Sequence, residues 1–356
     1  MTGDSNRPAE FLSGKMLWEQ NRSKIHIAST ISLKRNIEKF NFPGKLSSDL
    51  QKTILSLLTK EMMKNQLLKG LVLFPAEKTE AIDKEYLMEH FLASEKIFQA
   101  HAGEAFMIDE EGKFLAIINL DNHIEFFYLD VFDQLENSWN LIVKIETELG
   151  KALRYAFDPR FGFLTSDPGD CGTGFEAVAY LQLPGLIHSG QIDHVLDNSS
   201  DESIAIMGLQ GSPTEIIGDI LVIKNNYVLG ESEEKIVSSL RTLITKLMVE
   251  EVAERSKIKK EGTAEIKDRV SRAFGILVHS YQIEAVEALN ALSLVKLGLD
   301  LGWIEGITIE DINKLFFNCR RAHLLQHITG TPVNEELSHK RAEFIHTTLK
   351  NVTQLI

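Results

Sequence analysis

Residues Leu164–Pro184 read LTSDPGDCGTGFEAVAYLQLP. The first half holds turn-forming residues and the triplet Gly172-Thr173-Gly174, whereas the second half, Ala177–Leu183, is mostly apolar. This order is typical of a loop that lies close to another part of the backbone and continues into a buried helix or strand. Such a loop can present main-chain N–H groups to a phosphate, but a tight turn into a core element gives the same pattern.

The composition is that of a globular protein, with 44% hydrophobic and 25% charged residues among 356. This length predicts two domains. The net charge of −13 argues against a partner that is a nucleic acid. No apolar run approaches the ~18 residues of a membrane span, and the start lacks a signal peptide, so we expect a cytoplasmic protein. Cys171 and Cys319 are expected to be free thiols, and no metal site is expected.

Hydrophobic periodicity predicts the main elements. Alternation in Ile25–Ser32 predicts a strand, and Ser47–Leu68 has helical spacing behind a serine cap. Two strands are expected around an acidic turn within Ala105–Leu129. A long helix should run from Glu233 to about Lys259, and the chain beyond it has helical spacing throughout.

The opening segment resembles a motif of the guanidino kinases, in particular the bacterial protein-arginine kinases of the McsB type. Their motif is LTSCPTNxGTGxRAS, followed by LHLP. In that family the arginine after Gly-Thr-Gly-x holds an ATP phosphate, and Glu176 stands at its place here. Asp167 stands at the place of the family's cysteine. The resemblance therefore extends to the scaffold of the loop but not to its charged residues.

A second block, ASTISLKRN at Ala28–Asn36, resembles the family's SSRIRLARN. With the shared Leu-x-Arg-Asn as the anchor, the two phosphate-binding arginines of the family fall on Thr30 and Ser32. Arg35 is retained, and Lys34 is an additional cation beside it.

Two further blocks carry the positions that handle the substrate. The segment NLDNHIEF resembles the family's NEEDHLRI; its substrate-orienting carboxylate, which accepts the guanidinium proton, falls on Asp121, and an ATP-binding arginine falls on Glu125. The segment MGLQGSPTEIIGDILVIKNNYVLG resembles RGxYGExSEAxGNxFQISNxxTLG. There Met207 replaces a further arginine, and Ser212 replaces the second carboxylate.

The C-terminal part resembles the helical domain of the same family, which carries an RDxxRA motif that receives phosphoarginine. The matching residues here are LSHKRA, so Leu337 and Ser338 stand where the family has Arg-Asp. The resemblance implies that this second ligand site is lost as well.

The resemblance implies an α+β fold, with an antiparallel sheet flanked by helices and an all-α C-terminal domain. We divide the chain into an N-terminal tail with a short helix at residues 1–24, a domain of the guanidino kinase catalytic type at 25–258, and a helical domain at 259–356.

The aligned site has lost the charges that phosphoryl transfer requires. Replacing five arginines by two glutamates and three uncharged residues changes the local charge by −7. Each like-charge contact with ATP at about 4 Å costs on the order of 4 kcal/mol at an effective dielectric constant near 20. We therefore expect neither ATP nor Mg²⁺ as a cofactor.

These observations favour a catalytically inactive homologue that serves as a regulatory or adaptor protein. The resemblance implies protein partners, such as a zinc-binding protein of the McsA type, and a homodimer. The cleft, now acidic through Asp121, Glu125 and Glu176, would accept a cationic side chain of a partner, unless it is solvated or filled by the chain's own loop.

Two enzyme hypotheses stay open at this point. One is an active ATP:protein-arginine phosphotransferase with a rearranged ATP site, in which Asp121 is the base and the nucleotide contacts Lys34, Arg35, Arg154 and Arg160. The other is a different transferase that binds nucleotide in an inverted pose.

Overall fold

The structure is a computed structural model that describes residues 7–15, 17–199, 201–212, 214–262, 264–328 and 334–355. Most of the N-terminal tail predicted from the sequence, residues 1–6, lies outside the described part. The chain divides into two compact units, one of residues 1–15, 28–178 and 224–240 and the other of residues 16–27, 179–223 and 241–356.

The helices and strands follow one another as the sequence periodicity indicates. The helices are α1 Pro8–Ser13, α2 Ser48–Lys64, α3 Ala81–Glu89, α4 Leu135–Gly150, α5 Pro184–His188, α6 Ile192–Asp197, α7 Glu233–Glu261, α8 Ala264–His279, α9 Ala285–Leu301, α10 Ile309–Asn318, α11 Arg321–Leu324 and α12 Asn334–Leu349. The strands are β1 His26–Arg35, β2 Val72–Pro75, β3 Ala105–Ile108, β4 Phe114–Ile118, β5 Ile124–Asp130, β6 Phe157–Asp158, β7 Gly162–Phe163, β8 Phe175–Gln182, β9 Ile204–Gly208, β10 Ile220–Asn225, β11 Ile304–Glu305 and β12 Thr353–Gln354.

The main sheet has eight strands in the order β2-β3-β4-β5-β1-β8-β10-β9. Strands β2 to β5 and β1 pair antiparallel with their neighbours, which confirms the predicted α+β class. The C-terminal region is helical as expected, but it also contains the small antiparallel pair of β11 and β12. Gly302 ends α9 with a φ of 77° and turns the chain into β11. Within the described residues, no helix has the length and apolar content needed to cross a membrane.

Several predicted elements are confirmed, with small shifts of their ends. Strand β1 begins near Ile25 as expected but continues to Arg35. Helix α2 begins behind Ser47, whose side chain accepts a hydrogen bond from the N–H of Leu50. It ends four residues before the predicted end, because Asn65 leaves the helical conformation. The apolar run after the glycine triplet is strand β8 rather than a helix.

In the first unit, helix faces with a regular apolar spacing bury their side chains. Ile54, Leu58 and Met62 recur every four residues on α2 and are fully buried. Helix α4 packs on β5, with Ile142 and Leu149 among its buried side chains.

In the second unit, α8 packs on α9, and early and late parts of the chain meet. The indole of Trp18 stacks on Phe317 with 3.5 Å between ring centroids, and the amide of Asn313 donates to the carbonyl of Asn21 at 2.9 Å. Near the C-terminal end of α7, the buried Arg255 donates to Glu251 at 2.6 Å.

Candidate functional site

Thr30, Ser32 and Lys34 lie on one face of β1, because alternate residues of a strand point to the same side. The antiparallel register places Glu125 of β5 directly opposite Lys34. Strand β8 continues the same sheet beside β1 and contributes Glu176. The first unit therefore brings together four of the positions that the family resemblance assigns to ATP-binding arginines.

The face is closed at the first two of these positions. The hydroxyl of Thr30 donates to the carbonyl oxygen of Phe91 at 2.6 Å, and Phe91 has a φ of 60°, which is unusual for a residue other than glycine. Ser32 is buried, and its hydroxyl has no hydrogen-bond partner among the described residues. Both short side chains thus end inside the protein.

The other two positions carry carboxylates that lysines neutralise. Lys34 Nζ lies 2.7 Å from Asp170 Oδ2 and 4.0 Å from Glu125 Oε1, while Lys224 Nζ lies 3.4 Å from Glu176 Oε2. Burial opposes the charge on Lys34, but Glu125, Glu176 and Asp170 outweigh it, so that the pKa of Lys34 is raised. Burial raises the pKa of Glu125 to about 7, although Lys34 opposes this shift. The cleft is thus less acidic than expected, because its cations come from the chain itself.

The candidate base Asp121 is also paired. Its Oδ2 lies 2.9 Å from Nζ of Lys96, a residue of the short 3-10 helix Glu95–Gln99. The neighbouring His123 has a structural role, since its Nδ1 accepts the N–H of Ile37 and its Nε2 donates to the carbonyl of Asn41. Burial lowers the pKa of His123, which keeps the imidazole neutral.

The glycine triplet packs against the chain's own backbone. Gly172 has a φ of 119°, and a Cβ atom there would lie 2.4 Å from the carbonyl oxygen of Val228. The carbonyl of Gly174 accepts the N–H of Lys34 at 2.9 Å. A tight turn into a core strand therefore explains these glycines without a bound phosphate.

Arg35, which the alternative enzyme hypothesis assigned to nucleotide, is enclosed in the first unit with 2% of its surface exposed. It donates to Glu146 Oε1 at 2.7 Å and to the carbonyl of Thr173 at 2.8 Å, and its guanidinium lies 3.6 Å from the ring centroid of Phe163. Arg154 is exposed, and Arg160 is paired with Asp158 at the surface. The hypothesis thus loses its most central cation.

The remaining predicted positions belong to the second unit. Met207 is half-buried on β9, and the carbonyl of Ser212 accepts the N–H of Gly208 in the following turn at 2.7 Å. Leu337 and Ser338 are buried on α12, where the Ser338 hydroxyl donates to Glu284 at 2.6 Å. Arg341, the arginine shared with the RDxxRA motif, is also buried and donates to the carbonyls of Cys319 and Ile283. These contacts are internal to the unit.

Sequence reasoning missed three residues of the charged face, namely Lys96, Asp170 and Lys224. The only signal was the acidic replacement itself, because a buried carboxylate requires a nearby cation. Which lysine supplies that cation depends on the sheet and loop geometry.

Replacing Glu125 by glutamine should remove a pH dependence of stability. The folded pKa of about 7 exceeds the ordinary value of 4.5, so the protonated carboxyl stabilises the fold below pH 4.5, and this contribution is lost as the pH rises to 7. Over that range the wild type should lose about 3 kcal/mol relative to the variant, at about 1.4 kcal/mol per pKa unit. Urea unfolding of both proteins between pH 4.5 and 8 measures this difference, and parallel curves would contradict it.

Two family matches cover most of the chain. Residues 50–254 match the family described as ATP:guanido phosphotransferase, C-terminal catalytic domain. Residues 263–355 match the protein-arginine kinase McsB C-terminal domain.

Relatives of similar length share about a third of their residues with this chain. A protein-arginine kinase of Chlamydia pneumoniae is 34% identical over 85% of this chain and 84% of its own. One of Geobacillus stearothermophilus is 32% identical over 96% of this chain and 95% of its own.

Solved structures support the fold. A lombricine kinase superposes with a TM-score of 0.53 at 20% identity, over 69% of this chain and 71% of its own. A duplicated taurocyamine kinase from Schistosoma mansoni, with bound transition state analog components, gives 0.56 at 22% identity, over 66% of this chain and 34% of its own.

Proposed function

Because this chain belongs to the protein-arginine kinase family, within the guanidino kinases, we propose that it is a member without kinase activity that acts as a regulatory or adaptor protein through contacts with other proteins. The observation that carries the proposal is the pairing of Glu125 and Glu176 with lysines of the same chain. These carboxylates stand where the resemblance places two of the arginines that hold ATP.

The charges of this face disfavour a nucleotide. Phosphoryl transfer depends on cations that neutralise the phosphate oxygens. Lys34 and Lys224 are cations on this face, but each is already engaged by a carboxylate. A phosphate that approached either lysine would also approach Glu125 or Glu176, and each such contact at about 4 Å costs on the order of 4 kcal/mol at an effective dielectric constant near 20.

The substrate side is disfavoured in the same way. The resemblance gives Asp121 the task of orienting a guanidinium and accepting its proton. Lys96 forms an ion pair with this carboxylate, which lowers its capacity to act as a base. The two halves of the family reaction are thus opposed by separate ion pairs, and the supporting observation does not rest on a single residue.

The second candidate function is an active protein-arginine kinase with a rearranged ATP site. It is favoured by the relatives, which carry the name protein-arginine kinase at about a third identity over most of the chain. It requires Lys34 and Lys224 to exchange their carboxylates for phosphates. Arg35, held by Glu146, contributes nothing to such a site.

Titration of the full chain with Mg-ATP tests the proposal. We expect no saturable heat and no rise in Tm at millimolar nucleotide. A site with a dissociation constant a hundredfold below the nucleotide concentration would instead stabilise the folded state by about 2.7 kcal/mol. The protein-arginine kinase of Chlamydia pneumoniae serves as the comparison protein in the same buffer.

A transfer assay separates the two candidate functions. The chain is incubated with γ-labelled ATP and an arginine-rich protein, and acid-labile label on that protein is measured. Transfer above the level of a sample without the chain would overturn the proposal and establish the kinase. Absence of both transfer and nucleotide binding supports the inactive member.

A further inference from the structure

The ion pair between Lys96 and Asp121 differs from the other pairs of the charged face. Both partners are half-exposed, with 50% of the Lys96 side chain and 36% of the Asp121 side chain accessible. By contrast, the side chains of Lys34 and Glu125 are only 11% and 13% exposed. The Lys96 side chain also comes from a short 3-10 helix rather than from a strand of the sheet.

A pair of this kind contributes little to folding. Exposed ion pairs contribute between about 0 and 1 kcal/mol, because water screens both charges and the long side chain loses freedom. Lys96 can therefore leave Asp121 at low cost. When it does, a carboxylate becomes available at the turn between β4 and β5, near the ammonium of Lys34 and the carboxylate of Asp170.

We infer that Lys96 is an internal competitor for Asp121 and thereby determines how tightly this carboxylate holds a cationic side chain of a partner protein. The inference rests on the proposed function, since it names the residue that controls one contact of the adaptor. A guanidinium is the cation best suited to displace a lysine, because its planar fork binds both oxygens of a carboxylate whereas an ammonium acts as a single point charge. Lys34 opposes the incoming charge and Asp170 favours it.

A merely structural surface pair predicts a different outcome. In that case removal of Lys96 would change neither stability nor the affinity for an external cation beyond the effect of one lost positive charge. The experiment must therefore separate competition for Asp121 from a general change in net charge.

The probe is a short fluorescent peptide with one central arginine, paired with the same peptide carrying citrulline, which has the same shape and no charge. Binding to the full chain is followed by fluorescence anisotropy without nucleotide. We expect Lys96→Met to tighten binding of the arginine peptide about fivefold, which corresponds to the upper range of an exposed ion pair. The citrulline peptide should bind equally weakly to both proteins.

Two further variants complete the design. Lys151→Met removes a lysine of another exposed pair in the first unit, that with Glu148, and should leave affinity unchanged. In the Lys96→Met, Asp121→Asn double variant the fivefold gain should vanish. Equal affinities of wild type and Lys96→Met, a similar gain in Lys151→Met, or a gain that persists in the double variant would each overturn the inference. Addition of γ-labelled ATP to the same mixtures then tests the proposed function separately, because label transfer would refute inactivity without affecting the competition result.

Discussion

Replacing Arg35 by methionine should lower the free energy of unfolding by about 3–5 kcal/mol, the range observed when one partner of a buried ion pair is removed. The variant would leave Glu146 without its guanidinium, and it would remove the donor to the carbonyl of Thr173. It would also remove the guanidinium that stacks on Phe163. Methionine fills much of the same volume, so the loss reports mainly on the unpaired carboxylate and carbonyl groups.

Arg160→Met is the matched control for this variant. Arg160 also pairs with a carboxylate, that of Asp158, and lies over the ring of Phe161, but its side chain is 77% exposed. We expect a change within about 0.5 kcal/mol. Urea unfolding of the three proteins at one pH measures both effects. A loss below about 1 kcal/mol for Arg35→Met would mean that Arg35 is free enough to serve a ligand, and would revive the rearranged kinase site.

Replacing Gly172 by alanine should destabilise the first unit by about 3–5 kcal/mol, as the sum of backbone strain and overpacking. The φ of 119° is disfavoured for a residue with a side chain, and the added Cβ would lie 2.4 Å from a carbonyl oxygen and 2.9 Å from Cα of Leu229. Neither neighbour is a flexible side chain that can move away. The loop between β7 and β8 must therefore shift or open.

Gly44→Ala provides the comparison, because Gly44 has no atom within 4 Å of the added methyl group and an ordinary φ. We expect its stability to stay within about 0.5 kcal/mol of the wild type. Thermal unfolding of the two alanine variants side by side measures the difference. If both changed Tm equally, the close packing of Gly172 against residues 228 and 229 would be refuted.

The fold class was predictable from the sequence, because its signals are local or lie in contiguous blocks. Alternation around Thr30 indicated a strand, and the serine cap at Ser47 indicated the start of α2. The blocks around Gly172 and Gly218 carried the family resemblance, and the family matches confirm it. The end of α2 was less accessible, because Leu68 continues the apolar spacing although the helix has already ended at Lys64.

The partners of the charged positions could not be predicted. Lys34 and Asp170 are 136 residues apart, and Glu176 and Lys224 are 48 apart. Single-sequence patterns give no information on which residues of distant segments meet. The charge argument from the sequence counted the lost arginines but not Lys96 and Lys224, and so it overestimated the acidity of the cleft. The role of Arg35 was likewise hidden, since an arginine on a strand can bind a ligand or a buried glutamate.

The meeting of Trp18 with Phe317, and of Asn21 with Asn313, has a consequence for how the protein is made. The two asparagines are 292 residues apart in one compact unit. At about 5–20 residues per second, roughly 15–60 s separate their synthesis on the ribosome. During that interval the indole of Trp18 has no ring of Phe317 to cover it. The second unit therefore completes its core only at the end of translation, and until then a nascent chain exposes an apolar segment that chaperones can bind.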